Sequence, residues 1–100
     1  MPIELTQRQK RQLRAVAQRL DAHTHIGRKG LTETFIAGVA ELLAAHELIK
    51  IRFEEFKDRK DELSAEVALR TDSVYVVRVG HVAVFYRPQP DPAKRKVKLD

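Results

Sequence analysis

Ala22-His23-Thr24-His25-Ile26-Gly27-Arg28-Lys29-Gly30-Leu31-Thr32-Glu33 carries the decisive reading of this chain. Ala22 to Ile26 reads as a short, weak strand. A glycine-bounded turn follows, and Thr32 is placed to cap a helix, its hydroxyl accepting from an exposed first-turn amide. Glu33 sets a carboxylate where the helix dipole favours one. Ile36, Val39, Ala40 and Leu43 keep helical spacing to about Ala45, with Phe35 and Leu42 beside them. Gly38, an interior glycine costing ~1 kcal/mol relative to Ala, would be accounted for by close packing on a sheet. Leu48-Ile49-Lys50-Ile51-Arg52-Phe53 then alternates, with Ile49, Ile51 and Phe53 on one face and Leu48, Lys50 and Arg52 on the other. That is a strand with one partly wet face. Strand, helix and strand in this order imply a right-handed crossover.

Working outward, Thr6 and Gln9 have the spacing of a capping box, and a helix is predicted from about Gln7 to Asp21. Its apolar stripe is Leu13, Val16, Ala17 and Leu20. A third helix is predicted over about Lys57 to Thr71, with a stripe of Leu63, Val67 and Arg70 widened by Ala65, Ala68 and Leu69. Its other face mixes Asp58, Arg59, Lys60, Asp61 and Glu62, a solvated pattern. Ser73–Val79 and Val82–Arg87 are β-branched runs joined by Gly80-His81, a two-residue hairpin turn with glycine first. Pro88, Pro90 and Pro92 end the sheet. The expected fold is α/β: one domain over residues 1–88, an N-terminal helix followed by β-α-β-α-β-β on a mixed four-stranded sheet. Residues 89–100 read as a flexible basic tail.

The chain has 100 residues and a formal net charge of +5, and no cysteine. Disulfide frameworks and Cys-ligated metal sites are excluded. No apolar run is long enough to span a membrane, and Met1-Pro2-Ile3-Glu4-Leu5 does not open a signal peptide. A cytoplasmic monomer is expected. The charge is uneven: residues 1–30 carry seven Lys/Arg against Glu4 and Asp21, residues 31–72 carry six against ten acids, and residues 73–100 carry six against two. Basic ends around an acidic middle suggest a polyanionic partner. On the first helix, Arg8, Lys10, Arg11 and Arg14 have no acid among them. They make either a solvated surface or a contact for a polyanion.

The turn Gly27-Arg28-Lys29-Gly30 is the strongest local signal. Glycines permit a positive φ and close approach of another backbone. The helix that follows offers free N–H groups and a partial positive charge, and Arg28 and Lys29 add cations at the tip. KH domains clamp single strands with a GxxG loop of this kind; the plainer alternative is a tight strand-to-helix connection. It is not a Walker A loop, which needs a longer glycine spacing followed by Lys-Ser/Thr. His23, His25, His46 and His81 do not gather into a metal site, and no nucleophile–base arrangement is legible. Neither an enzyme nor a cofactor is expected. Phe35, Phe53 and Phe85 are core candidates. Tyr75 and Tyr86 either cap the sheet core or stack on an unpaired base.

These residues resemble the CRM domain (chloroplast RNA splicing and ribosome maturation), in its stand-alone bacterial YhbY-type form. The resemblance rests on Leu13-Arg14-Ala15-Val16-Ala17, Gly27-Arg28-Lys29-Gly30-Leu31-Thr32-Glu33, His46-Glu47-Leu48-Ile49-Lys50, and Gly80-His81 through Val84-Phe85-Tyr86-Arg87-Pro88. Family members often carry Ala-His on the first helix, where this chain has Ala17-Gln18. The resemblance implies a fold similar to the C-terminal domain of translation initiation factor three. It also implies RNA binding without catalysis, with large-subunit ribosomal RNA or its precursor particle as the partner. The RNA-contacting residues would be Gly27, Arg28, Lys29, Gly30 and Thr32 at the loop, Arg8, Lys10, Arg11 and Arg14 on the first helix, and Lys50 and Arg52 on the strand. The competing readings are a protein-interaction module whose acidic middle docks a ribosomal protein, and a small enzyme acting on nucleic acid.

Overall fold

The structure is a computed structural model describing residues 4–99; Met1–Ile3 of the N-terminal reading and Asp100 lie outside the described residues. Its first two helices begin where a threonine holds a free amide. Thr6 Oγ1 accepts from the Gln9 amide at 3.1 Å while Gln9 Oε1 accepts from the Thr6 amide at 3.0 Å, opening α1 (Gln7–Ala17). Thr32 Oγ1 accepts from the Phe35 amide at 3.0 Å and opens α2 (Glu33–His46). A 3₁₀ turn, Lys57–Arg59, leads into α3 (Lys60–Thr71). The strands are β1 (Thr24–Ile26), β2 (Leu48–Phe53), β3 (Val74–Val79) and β4 (Val82–Tyr86), in the sheet order β1-β2-β4-β3. β1 runs parallel to β2, and β4 runs antiparallel to both β2 and β3. Gly80, at φ +61, turns the β3–β4 hairpin as the glycine-first reading requires.

The alternation of β2 divides the apolar residues between two layers. Ile49, Ile51 and Phe53 join Ile26, Val39, Leu43, Leu63, Val67 and Phe85 beneath α2 and α3. Leu48 turns to the opposite face, where Leu13 and Ala17 of α1 meet Val76, Val84 and Tyr86. Each large aliphatic or Phe side chain buried in this way contributes ~1.5–3 kcal/mol, and both faces of the sheet share that stabilisation.

Several expectations are corrected. α1 stops at Ala17 rather than Asp21. The Arg19 and Leu20 amides turn back to the Val16 and Ala17 carbonyls at 3.1 and 3.0 Å. Lys50 Nζ then takes the Leu20 carbonyl at 2.8 Å, steering the chain into β1. Val16, expected in the apolar stripe, is 42% exposed, and the buried residues of the helix are Leu13 and Ala17. On α3 the buried stripe is Leu63, Ser64, Val67 and Thr71; Arg70 and Leu69 point outward. Thr71 faces inward because its hydroxyl donates to the Val67 carbonyl at 2.7 Å. β3 carries an irregularity between Tyr75 and Val77 that leaves Val76 unpaired. Gly38 has no close approach to explain it, since a β-carbon there would meet nothing within 4 Å.

Beyond Pro88, where a loose extension was expected, the chain folds back. Val97 and Leu99 pack beside Leu5 on the α1 layer. The buried Glu47 carboxylate accepts from the Gln89 amide at 2.6 Å and from the Lys96 and Val97 amides at 2.5 and 2.8 Å. A charged acceptor with three N–H donors is among the stronger hydrogen-bonded groups available. It holds Glu47 at φ +65, a conformation that costs a non-glycine residue ~1–2 kcal/mol.

Candidate nucleic-acid interface

The glycine turn begins immediately after β1. The Gly30 amide donates to the Gly27 carbonyl at 3.0 Å, and Gly30 sits at φ +66. Arg28 and Lys29 therefore occupy the two corners of the turn, both exposed. Neither makes an ion pair among the described residues. Two side chains outside the turn hold it. The Phe56 ring lies beneath Gly30, and Arg70 Nη1 donates to the Leu31 carbonyl at 3.3 Å while reaching Glu66 Oε2 at 3.2 Å. Sequence reasoning missed both. Arg70 fitted the helical period of an apolar stripe, and Phe56 stood outside every periodic run.

Because Thr32 Oγ1 is committed to the Phe35 amide, its part is to shape the N-terminus of α2, leaving the first-turn amides beside the glycine turn. That is an anion-favouring corner.

The sheet register extends this corner sideways. His25 pairs with Arg52, Arg52 with Val82, and Val82 with Val79. Paired residues on neighbouring strands share a face, so these four form one row across the sheet, on the face that carries α1. The next row includes Lys50 and Val84. Thus Arg52 lies between the turn and the middle of the sheet, and Lys50 lies under the exit of α1. Arg14, on the last turn of α1, comes to the same place. Lys10 and Arg11 are one turn further back. Arg8 is about 9 Å back along the axis at 1.5 Å per residue. The structure thus gathers the turn, Arg52, Lys50 and Arg14 at one end of the molecule, and leaves Arg8 toward the other.

The β3–β4 turn brings two more cations to that end: Lys60, expected on a solvated face, and Arg78 of β3. Lys60 Nζ reaches the Gly80 carbonyl at 3.1 Å and His81 Nδ1 at 2.9 Å. Arg78 donates to the Gly80 carbonyl at 2.7 Å and to Asp61 at 3.0 Å. Lys60, burial, and then Lys57 and Arg78 hold the His81 imidazole below its ordinary value.

The remaining chemistry is structural. His23 Nδ1 accepts from the Lys50 amide at 3.1 Å, and its ring lies 4.9 Å from that of His46, a proximity the sequence did not suggest. Burial, His46 and Lys50 lower its pKa. Among the described residues no group of three or more His, Cys, Asp or Glu could hold a metal ion, and no helix is long and apolar enough to cross a membrane. Tyr86 is only 3% exposed, so it is a core residue and not a base-stacking platform. Tyr75 stacks on Phe85 with ring centroids 5.7 Å apart, and its hydroxyl donates to Asp61 at 2.6 Å.

Fold and surface together define a small mixed α/β domain with a basic glycine turn at one end of its sheet. The chain belongs to the CRS1/YhbY (CRM) domain family, whose profile matches residues 5–87. It is 33% identical over 91 residues to a Pseudomonas aeruginosa protein named as a probable RNA-binding protein, covering 90% of this chain and 88% of the relative. A Haemophilus influenzae protein named as RNA-binding is 32% identical over 88 residues, 87% of this chain and 89% of that one. The fold matches the solution structure of a hypothetical Staphylococcus aureus protein proposed to bind RNA. The TM-score is 0.78 at 31% identity, covering 95% of this chain and 100% of the other.

Proposed function

We propose that this chain is a non-catalytic RNA-binding protein that works by gripping the phosphate backbone. The observation that carries the reading is the pair Arg28 and Lys29. Both are exposed without an ion pair among the described residues, on a glycine turn against the capped start of α2. Gly27, where a β-carbon would meet nothing within 4 Å, leaves room for a polynucleotide strand; Gly30 at φ +66 closes the turn, and Thr32 fixes the start of α2 beside it. Arg14, Lys50 and Arg52 continue the positive surface over the sheet, with Arg8, Lys10 and Arg11 along α1. The names of the relatives support RNA binding.

The finer reading follows from the family's stand-alone bacterial members. The partner is large-subunit ribosomal RNA or its precursor particle, met in the cytoplasm during ribosome assembly by a monomer without a cofactor. Residues 1–88 are the binding domain, and 89–100 an appended basic segment. The protein-docking alternative would rest on the acids of the middle segment; of these, Asp61, Glu62 and Glu66 are already ion-paired with Arg78, Arg59 and Arg70, and Glu47 is held by the C-terminal amides.

The test is the double variant Arg28→Asp/Lys29→Asp, titrated against RNA at low salt. Affinity is expected to fall more than tenfold with an unchanged melting temperature. Equal affinity of variant and parent would remove the turn from the interface.

A further inference from the structure

α1 ends one turn before the sheet does. Past Ala17 no helix covers the row that ends in Val82 and Val79, and Val79 is 50% exposed. Between the end of α1 and the sheet lies a cleft of about 200 Å³ lined by Arg14, Ala17, Gln18, Lys50, Val79, Val82 and Val84. Its floor is three valines and an alanine. Its rim carries two cations and one primary amide. It is smaller than the ~300–1,000 Å³ pockets that hold drug-sized ligands.

Three features together select an occupant. The floor is apolar and narrow, which suits the face of one planar ring system. The rim is cationic, which suits a ring borne on a phosphate chain. Arg14, which makes no ion pair among the described residues, presents a guanidinium plane, and such planes stack on bases. Gln18, exposed at the C-cap of α1, offers both a donor and an acceptor to a base edge. One row of the sheet links the cleft to the glycine turn. The row His25, Arg52, Val82, Val79 leads from β1 across to it, and the turn begins two residues after His25. From His25 to Val82, at the near edge of the cleft, is about two strand spacings, roughly 10 Å, with Arg52 midway to neutralise the intervening backbone.

We infer that this cleft is a nucleobase slot: a chain held by its phosphates at Gly27–Gly30 crosses Arg52 and turns one unpaired base into the cleft, against the valines and under Arg14. The slot rests on the RNA-binding reading above and adds to it that the substrate is single-stranded at this point. A duplex cannot present a splayed base.

The experiment uses the full chain with isotope-labelled valine methyls. It is titrated at low salt with a short oligouridylate and with an abasic oligonucleotide of the same length. The expected result is that the Val79, Val82 and Val84 methyls shift with the base-bearing oligonucleotide and not with the abasic one. The former should bind about tenfold tighter, as one stacked base would give. In Val79→Gln/Val82→Gln that difference should shrink to less than about twofold, with abasic affinity retained. Equal methyl shifts from both oligonucleotides would overturn the slot and leave a plain phosphate track. Shifts confined to the Gly27–Gly30 amides would overturn the slot while sparing the RNA-binding reading. Binding of neither oligonucleotide would overturn both. Should the double variant fail to fold, the methyl shifts of the parent decide the matter.

Discussion

A β-carbon placed on Gly30 would stand 3.4 Å from Cε2 of Phe56, so the cationic turn rests directly on an aromatic ring from the segment after β2. Phe56 itself occupies the left-handed region at φ +56, which costs ~1–2 kcal/mol for a side chain of this kind. The ring under the turn and the Arg70 guanidinium on the Leu31 carbonyl fix the loop from opposite sequence distances. On the proposed reading, in which the turn holds a polyanion in one geometry, both supports serve that role.

The two glycines of that turn should respond differently to substitution. Gly30→Ala forces a β-carbon into φ +66 and is expected to cost ~1–2 kcal/mol in urea unfolding. Gly27→Ala meets nothing within 4 Å and has no positive φ, so its effect on stability should stay within about 0.5 kcal/mol. Equal losses at both positions would contradict this account of the turn.

Salt dependence measures how many phosphates the turn engages. For single strands, log K falls against log salt with a slope of about −0.7 per neutralised phosphate. Arg28→Ala/Lys29→Ala should therefore make the slope shallower by about 1.4 in anisotropy titrations across salt concentrations. An unchanged slope would mean that these cations face solvent in the complex.

Glu47 ties stability to acid pH. Burial pushes its carboxyl up, but the amides of Gln89, Val97 and Lys96, with Arg95 nearby, outweigh this and hold it below 4.5. A depressed folded value gives stability that is complete above 4.5 and lost as pH falls through the folded value. Amide exchange at Lys96 and Val97 should accelerate in that window. Glu47→Gln, which exchanges one acceptor for a donor among N–H groups, should accelerate it at neutral pH and cost ~1–3 kcal/mol. Protection that persists in this variant would assign the fold-back to Val97 and Leu99 alone.

His23 acts nearer neutrality. Its folded value is lowered, first by burial and then by His46 and Lys50, so the unfolded chain takes up a proton that the folded chain refuses. Its contribution is complete above pH 6.5 and is lost as pH falls through the folded value. The melting temperature should drop between pH 7.5 and 5.5, less so in His23→Asn. His81, lowered chiefly by Lys60, contributes with the same sign, so His23→Asn/His81→Asn should show the flattest profile by circular dichroism.

The architecture was legible where short-range chemistry decides it. Thr6 with Gln9, Thr32, the alternation of β2 and the Gly80-His81 turn each act through neighbours in sequence, and each was read in its place. Errors arose where a distant group intervenes. α1 stops at Ala17 because Lys50, far along the chain, claims the Leu20 carbonyl. Arg70 matched the helical period, yet Ser64 and Thr71 face inward in its stead. Glu47 was one acid among ten in the middle segment, and nothing local announced that three amides from the C-terminal segment would enclose it. For the candidate site, the turn and its two cations could be read directly. The row from His25 to Val79 could not, because it exists only through strand pairing.

Leu5, Tyr86, Val97 and Leu99 line one cleft, which puts both ends of the described chain near the start of β2, at the pole opposite Gly27–Gly30, since β2 runs from Leu48 to Phe53 between them. A unit built this way can be strung in series, fused at either terminus or circularly permuted through a short linker, with every copy still presenting its glycine turn outward.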